Sequence, residues 1–563
     1  MKSLLPLIFL VLTACSEQGN QVQNTSSEND QPTEKLSPLG IDAITTDSLT
    51  GHIKVLASDE FEGRAPGTVG EEKTINYLAE NFKKAGLQPG NGDSYFQKVP
   101  LTSVEAVNQP ALTIQSSEGE AIVLNYPSDQ VIWTRHQTEQ VTLNDSQLVF
   151  VGYGINAPER NWNDYDGVDV KGKTVVMLVN DPGYATQNPE LFNGNAMTYY
   201  GRWDYKFDEA ARQGAAGAII IHDTLPAAYP WSTVSSSWTG PKFDIIREDK
   251  GESLSIMESW ITKDNAKLLF SKSGLDLDAM YEAAKSADFK AVEMNLKASA
   301  TIQNKVANVE SNNVIAILPG SKYPDEVFLY MAHWDHLGKD PSKEGDNIFN
   351  GALDNASGTA GLLTMAEAFA SLPEKPERSI VFMAVTAEEQ GLLGSAHYAA
   401  NPVYPLANTV AGLNMDVLKN FGRTNDLVVI GLGMSQLDGY LEAKAKSQNR
   451  YLKPDAEAQK GYYYRSDHFE LAKLGVPMIY PKGGYDHVEK GFEYGMAKAK
   501  EYTDNHYHGP SDEYNESWDM TGSVQDLQLY FMVGQDIANS QDWPEWNEGA
   551  EFKAARDAQR AGK

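Results

Sequence analysis

Residues 379–389 read SIVFMAVTAEE, nine largely apolar residues from Ser379 to Ala387 followed by the adjacent glutamates Glu388 and Glu389, with Gly391 close behind. An unbroken apolar run of this length, rich in β-formers, fits a strand covered on both faces. Glu388 and Glu389 then sit where a buried strand runs out into a loop. Outward from this run stand four further ligand-type residues, each expected at the end of its own apolar run: His333 in YMAHWDH, Asp354 in NGALDNASG, Asp416 in GLNMD and His508 in HYHGPSD.

The surrounding region, about 301–542, alternates strand and helix. NVIAILPG (313–320) and VFLYMAHWD (327–335) read as neighbouring strands, and 356–372 as a helix with Leu362, Leu363, Ala366 and Phe369 on its apolar stripe. Strand 379–387, helix 391–400, strands 409–416 and 427–431 and a helix near 435–448 follow. Such alternation predicts an α/β fold, a mainly parallel, mixed sheet flanked by helices. Ligands gather beyond the carboxyl ends of strands in these sheets, which is where His333, Asp354, Glu388, Glu389 and Asp416 fall.

Upstream the pattern changes. Thr46 to Ala85 is helical at both ends of the loop EGRAPGT, with Gly86 as a stop signal. Between 108 and 300, short β-rich runs such as LVFVGYGI (148–155) and TVVMLVND (174–181) surround one helix, FDEAARQGA (207–215), that leads into AGAIIIHD (216–223). This stretch predicts a β-rich α+β module without an acid, base and histidine cluster of its own.

At 563 residues the chain is too long for one ordinary core. Its formal charge of -30 repels phosphate backbones and excludes nucleic acid as a partner. By steering alone, that charge favours neutral or basic peptides. The start, Lys2, an apolar run Leu4 to Leu12 and then Leu12-Thr13-Ala14-Cys15, resembles a bacterial lipoprotein signal and is too short to span a bilayer. Cys15 is the only cysteine, so disulfides and thiolate metal sites are unavailable. The polar residues that follow read as a flexible tether. The expected organisation is a signal over 1–15, a linker over 16–40, the first part of the main domain over 41–107, an insertion over 108–300, the catalytic region over 301–545 and a polar tail over 546–563. The expected location is outside the cytoplasm, lipid-anchored through Cys15 at the outer membrane, facing periplasm or cell surface; oligomeric state is left open.

Imidazole and carboxylate together suit zinc, whereas an all-oxygen set suits magnesium or calcium. Two histidines and three carboxylates exceed one tetrahedral zinc. They suit two zinc ions, each with one histidine and one terminal carboxylate, sharing a bridging aspartate and a water, with a remaining carboxylate free as general base. A lone histidine is more often structural, and adjacent glutamates more often mark a solvated loop. Six such positions in one order reverse that weighting.

LASDEFEGRAPGTVGEEKTINYLAENFKKAGLQP (56–89), AHWDHLG, NGALDNASG, AEEQGLLGS, NMD, RSDHFELAKLGVP and YHGPSD together resemble the co-catalytic di-zinc aminopeptidases of the bacterial leucyl aminopeptidase type. The resemblance implies Asp354 as the bridge, His333 and Asp416 on one zinc, Glu389 and His508 on the other, and Glu388 as general base. It further implies that Asp335 and Asp512 orient imidazoles and that the Asp354–Asn355 peptide is cis; His336 is itself read as supporting the site without binding metal. VFVGYGINAP, WNDYDGVDVKGKTVVML and EAARQGAAGAIIIHD resemble a protease-associated domain within the insertion. An oxyanion donor is expected among Tyr462, Tyr463 and Tyr464. His468 is a candidate support, His506 a competitor of His508, and Asp486, His487 and Glu493 read as surface residues. The implied activity is release of N-terminal residues from peptides. The alternatives are a glutamate-carboxypeptidase-like enzyme, for which Arg465 is the one arginine inside a site motif, and a receptor-like protein without catalysis.

Overall fold

The structure is a computed structural model describing residues 40–561 apart from 109, 117, 118, 120, 238–240 and 342. The expected signal with Cys15 and nearly all of the linker lie outside the described residues. No described helix is long and apolar enough to cross a membrane.

Among the described residues the first α-helix is Thr46–Leu56, whose first turn is capped by the Thr45 hydroxyl accepting from the Ser48 amide. Helix Val69–Ala85 follows, capped by Thr68 and ended by Gly86 at φ 92, a left-handed conformation that glycine adopts without strain. Strand Arg378–Val385 is buried at every position. It pairs in parallel with Tyr323–His333 on one side and antiparallel with the end of the 27-residue strand Val292–Leu318 on the other. Beyond Tyr323–His333 come Thr409–Asn414 and Met478–Gly483, both parallel, then Asp426–Ile430 running antiparallel. The predicted α/β class therefore holds, a mixed sheet with a parallel centre.

One expected adjacency does not form. The strands over 313–318 and 323–333 are separated by Arg378–Val385, because loop 319–322 passes over the start of that strand. There the Ser321 and Tyr323 amides donate to the Pro376 and Glu377 carbonyls at 2.8 and 2.7 Å. Helix Ser357–Ala370 covers one face and packs closely: a Cβ on Gly361 would stand 3.0 Å from Leu527 of helix Thr521–Ala538. The opposite face is closed by Leu471, Val476, Trp546 and Phe552. Trp546 and Phe552 are thus core residues, and the last segment is not the polar tail expected from composition; it ends in helix Lys553–Arg560.

The first half of Val292–Leu318 belongs to a second sheet. Strands Gln140–Phe150, Thr174–Leu178, Gly217–His222 and Met257–Thr262 lie there in parallel, with antiparallel strands at its margins. Each face of this sheet has its own apolar core, one around Phe150, Phe270 and Ile219, the other around Val175, Phe207 and Trp260.

Candidate metal centre

The site lies beyond the carboxyl ends of Arg378–Val385, Tyr323–His333 and Thr409–Asn414. After Val385 the chain turns at Ala387 (φ 53). The buried Asp335 carboxylate accepts the Glu388 and Glu389 amides at 3.0 and 3.3 Å, fixing both glutamates at the strand end. His333 is the last residue of its strand; its Nδ1 is 3.2 Å from the Asp335 carbonyl, which leaves Nε2 facing the site. Asp335 thus orients the glutamates through their amides and His333 through its carbonyl; its carboxylate stands 3.8 Å from the imidazole.

Asp354 is held by its backbone. Asp512 accepts the Leu353 and Asp354 amides at 3.0 and 3.1 Å, and Tyr502 donates to the same carboxylate at 3.0 Å. Asp512 therefore supports the Asp354 loop rather than an imidazole, unlike the expectation. The Asp354–Asn355 peptide is cis, as the resemblance implies. Ser466 and Tyr480 each donate to Asp416 Oδ2 at 2.8 Å, which leaves Oδ1 turned toward His333. His508 does not follow a strand. It stands in a turn after helix Gly491–Asn505, at φ 57, with its ring stacked on Tyr507 at 3.9 Å.

The result is a nearly symmetric arrangement about one aspartate. His333 Nε2 is 3.4 Å from Asp354 Oδ1 and 3.7 Å from Asp416 Oδ1. His508 Nε2 is 3.3 Å from Asp354 Oδ2 and 3.1 Å from Glu389 Oε2. Donors ~2.0–2.2 Å from a tetrahedral zinc stand ~3.3–3.6 Å from one another, so both triplets have the spacing of atoms around a shared ion, and the donor types suit zinc. His336 is also within reach of Asp354 and Glu389. Its Nδ1, however, lies 2.7 Å from Glu389 Oε1, a hydrogen-bond distance too short for two donors on one ion. Glu388 belongs to neither triplet; Oε2 is 4.0 Å from His333.

Charge follows this geometry. Burial, with Glu389, Asp467 and Asp416 nearby, pushes the Glu388 carboxyl well above the usual range against the pull of His333. Burial works the same way on Asp354, but hydrogen bonds from His333 and His508 overcome it and hold that carboxyl well below its ordinary value. For His508, burial is outweighed by Asp354 and Glu389, and the imidazole rises to about 10. Clustered carboxylates thus draw positive charge onto both histidines, a demand a divalent cation meets.

The remaining candidates separate. Tyr464 donates to Glu551 at 3.1 Å and Tyr463 is buried, so of the three tyrosines Tyr462 is the one lining the cleft. His468 is buried against Tyr463 and Tyr480 at 4.5 and 4.7 Å between ring centres, and burial lowers it to about 3; it packs behind the site. His506 faces Ser511 and Glu501. His487 is buried, contrary to the surface reading, and its Nδ1 accepts the Glu489 and Lys490 amides.

Sequence reasoning missed Arg64. This buried arginine donates to the carbonyls of Trp334 (2.9 Å), Leu56 (2.7 Å), Asn350 (2.6 Å) and Gly351 (2.9 Å). It ties the loop EGRAPGT to the two segments that present His333 and Asp354. The available signal was an arginine between two turn glycines, in a stretch already tied to the site by resemblance.

Fold and site together define an α/β domain with a buried histidine and carboxylate cluster at the carboxyl ends of its parallel strands. Residues 313–532 match the model of peptidase family M28. A probable zinc metalloprotease of Pyrenophora teres f. teres is 39% identical over 113 residues, covering 20% of this chain and 23% of that protein. A glutamate carboxypeptidase 2 homolog of Caenorhabditis elegans is 25% identical over 507 residues, 79% of this chain and 60% of that one. The chain spans about a quarter of the length of the fungal relatives it matches. Among solved structures, the aminopeptidase from Aneurinibacillus sp. strain AM-1 aligns with a TM-score of 0.47 at 21% identity, over 91% of this chain and 97% of that one.

Proposed function

We propose that this protein is a di-zinc aminopeptidase that releases N-terminal residues from peptides. The observation that carries the reading is the pair of donor triplets sharing Asp354, with Glu388 left over beside them. His333, Asp354 and Asp416 would hold one zinc, and Asp354, Glu389 and His508 the other. Bound zinc supplies an acidified water and polarises the scissile carbonyl.

The chain's own residues do the rest. Glu388, outside both triplets and raised by burial, accepts the proton of the attacking water and returns it to the leaving amine; a base with an elevated pKa suits transfer in both directions. Asp335 holds Glu388 by its amide, so the carboxylate stays over the site. His336 orients Glu389, while Ser466 and Tyr480 fix the Asp416 oxygen that faces His333. The free amine of the substrate would sit against the Glu388 carboxylate. Tyr462, the one of the three tyrosines that lines the cleft, would donate to the developing oxyanion.

The 108–300 region reads as a protease-associated domain on the motifs VFVGYGINAP and EAARQGAAGAIIIHD, and residues 2–15 support export with lipid attachment at Cys15 in the outer membrane. The test of activity compares initial rates on leucyl anilide with its N-acetylated form. Cleavage of the free amine alone is expected. Cleavage of acetylated peptides from the C-terminal end would replace this reading with a carboxypeptidase.

A further inference from the structure

In the insertion, the residues of the short segment 197–200 face two ways. Thr198 and Tyr200 are fastened to the insertion itself. The Asp181 carboxylate accepts the Thr198 amide and hydroxyl at 3.1 and 2.8 Å. The buried Lys206 donates from Nζ to the Tyr200 and Tyr153 carbonyls at 3.1 and 2.6 Å, and the Tyr200 ring meets Phe192 and Tyr205 edge-on. Met197 and Tyr199 reach the peptidase region instead. The Met197 amide donates to the Ala458 carbonyl at 3.1 Å, and the Tyr199 amide to Glu551 Oε1 at 3.3 Å. Between ring centres Tyr199 is 5.2 Å from Phe469 and 6.3 Å from Tyr464, and it packs against an apolar core of each sheet.

These contacts converge on the turn that presents Tyr462 to the cleft. Glu551 serves both sides of the joint, because its other oxygen accepts the Tyr464 hydroxyl at 3.1 Å. Gly461, at φ 64, opens the turn Tyr462–Tyr464, and a Cβ there would stand 2.7 Å from Met197 Sδ. Tyr463 is buried against His468 and Phe552. With Gly461, Tyr463 and Tyr464 all held from behind, Tyr462 is the member of the turn left to line the cleft. A close-packed joint transmits a displacement to its neighbours rather than absorbing it, so the direction of Tyr462 depends on what fills the space at Tyr199. The ring and the amide of Tyr199 make these contacts; the hydroxyl takes no part in them.

We propose that Tyr199 is a positioning residue for peptide hydrolysis: seated in this joint, it holds the turn Tyr462–Tyr464 so that Tyr462 keeps the direction needed to donate to the oxyanion. This rests on the aminopeptidase reading and on the role given there to Tyr462. It makes the insertion a working part of the cleft through a residue that does not line it.

The test uses the zinc-loaded full chain, with kcat and KM on leucyl anilide and zinc content measured side by side. The variants are Tyr199→Ala, Tyr199→Phe and Tyr199→Leu, the last included so that the result does not depend on the folding of the alanine variant. Tyr199→Ala and Tyr199→Leu are expected to lower kcat by about ten- to a hundredfold, part of the ~10²–10³-fold that losing an oxyanion donor costs, with KM and zinc content close to the parent. Tyr199→Phe keeps the ring and should restore the parent kcat. In a Tyr462→Phe background the loss of Tyr199 should cost no more than about threefold, because both changes act on one interaction. An equal loss in the two backgrounds overturns the proposal, as does an unchanged kcat in Tyr199→Ala and Tyr199→Leu, a failure of Tyr199→Phe to restore it, or a fall in kcat that follows a fall in zinc content. Full activity of Tyr462→Phe would remove the role of Tyr462 and this proposal with it, leaving the aminopeptidase reading in place. Failure of the zinc-loaded wild type to cleave the anilide would remove both.

Discussion

Two sheets share the strand Val292–Leu318, and both have parallel strands at their centres, yet only one presents reactive side chains at its carboxyl ends. In the insertion, Asp181 follows Thr174–Leu178 and is fully occupied. It accepts the Thr198 amide and hydroxyl at 3.1 and 2.8 Å and caps the next helix through the Tyr184 amide at 3.1 Å. Asp223, after Gly217–His222, is matched by Lys263 at 2.5 Å. In the other sheet, the backbone amides of Glu388 and Glu389 are satisfied, the Glu388 carboxylate lines the cleft, Glu389 faces His336 and His508, and among the described residues no lysine or arginine forms an ion pair with either. Strand-end acids alone therefore do not make a site. What distinguishes the sheet of Arg378–Val385 is negative charge gathered without a lysine or arginine partner among the described residues, a neutralisation that a metal can supply.

The sharpest way to break this contrast is at Asp354. Asp354→Asn removes the shared donor of both triplets, and we expect loss of both zinc ions and of activity beyond about 10⁴-fold; retention of one zinc with measurable turnover would show that the triplets are independent. Glu388→Gln comes next. It should keep the metal content of the parent while lowering kcat by about 10²–10⁴-fold, the worth of a general base, as read by steady-state kinetics beside metal analysis. Arg64→Met, which leaves four buried carbonyls without their donor, should destabilise the chain by about 3 kcal/mol or more in urea unfolding and weaken zinc retention. The smallest effect belongs to the occupied acid of the other sheet. Asp181→Asn should cost about 1–3 kcal/mol of stability and leave zinc content unchanged, so a loss of zinc there would erase the distinction between the two sheets.

Much of the site was legible because its residues sit where hydrophobic runs stop. Glu388, His333 and Asp416 follow strands whose burial their composition announces, and chain order then suffices to group them. His508 was legible only through its motif, since it emerges from a helix-ending turn in the left-handed region. Strand order was not legible either: a short connection between residues 318 and 323 implies neighbours, and only the contacts of loop 319–322 with Pro376 and Glu377 reveal the strand between them. Arg64 reads as a solvated loop arginine until the four carbonyls it gathers, from segments up to 287 residues away, are brought together.

The central claim is that two triplets share Asp354 around two ions. Its most direct test is the zinc content per chain, by mass spectrometry under native conditions, of wild type and Asp354→Asn. Two zinc ions in wild type and none in the variant is the predicted result. A single zinc in wild type, retained in the variant, would contradict it.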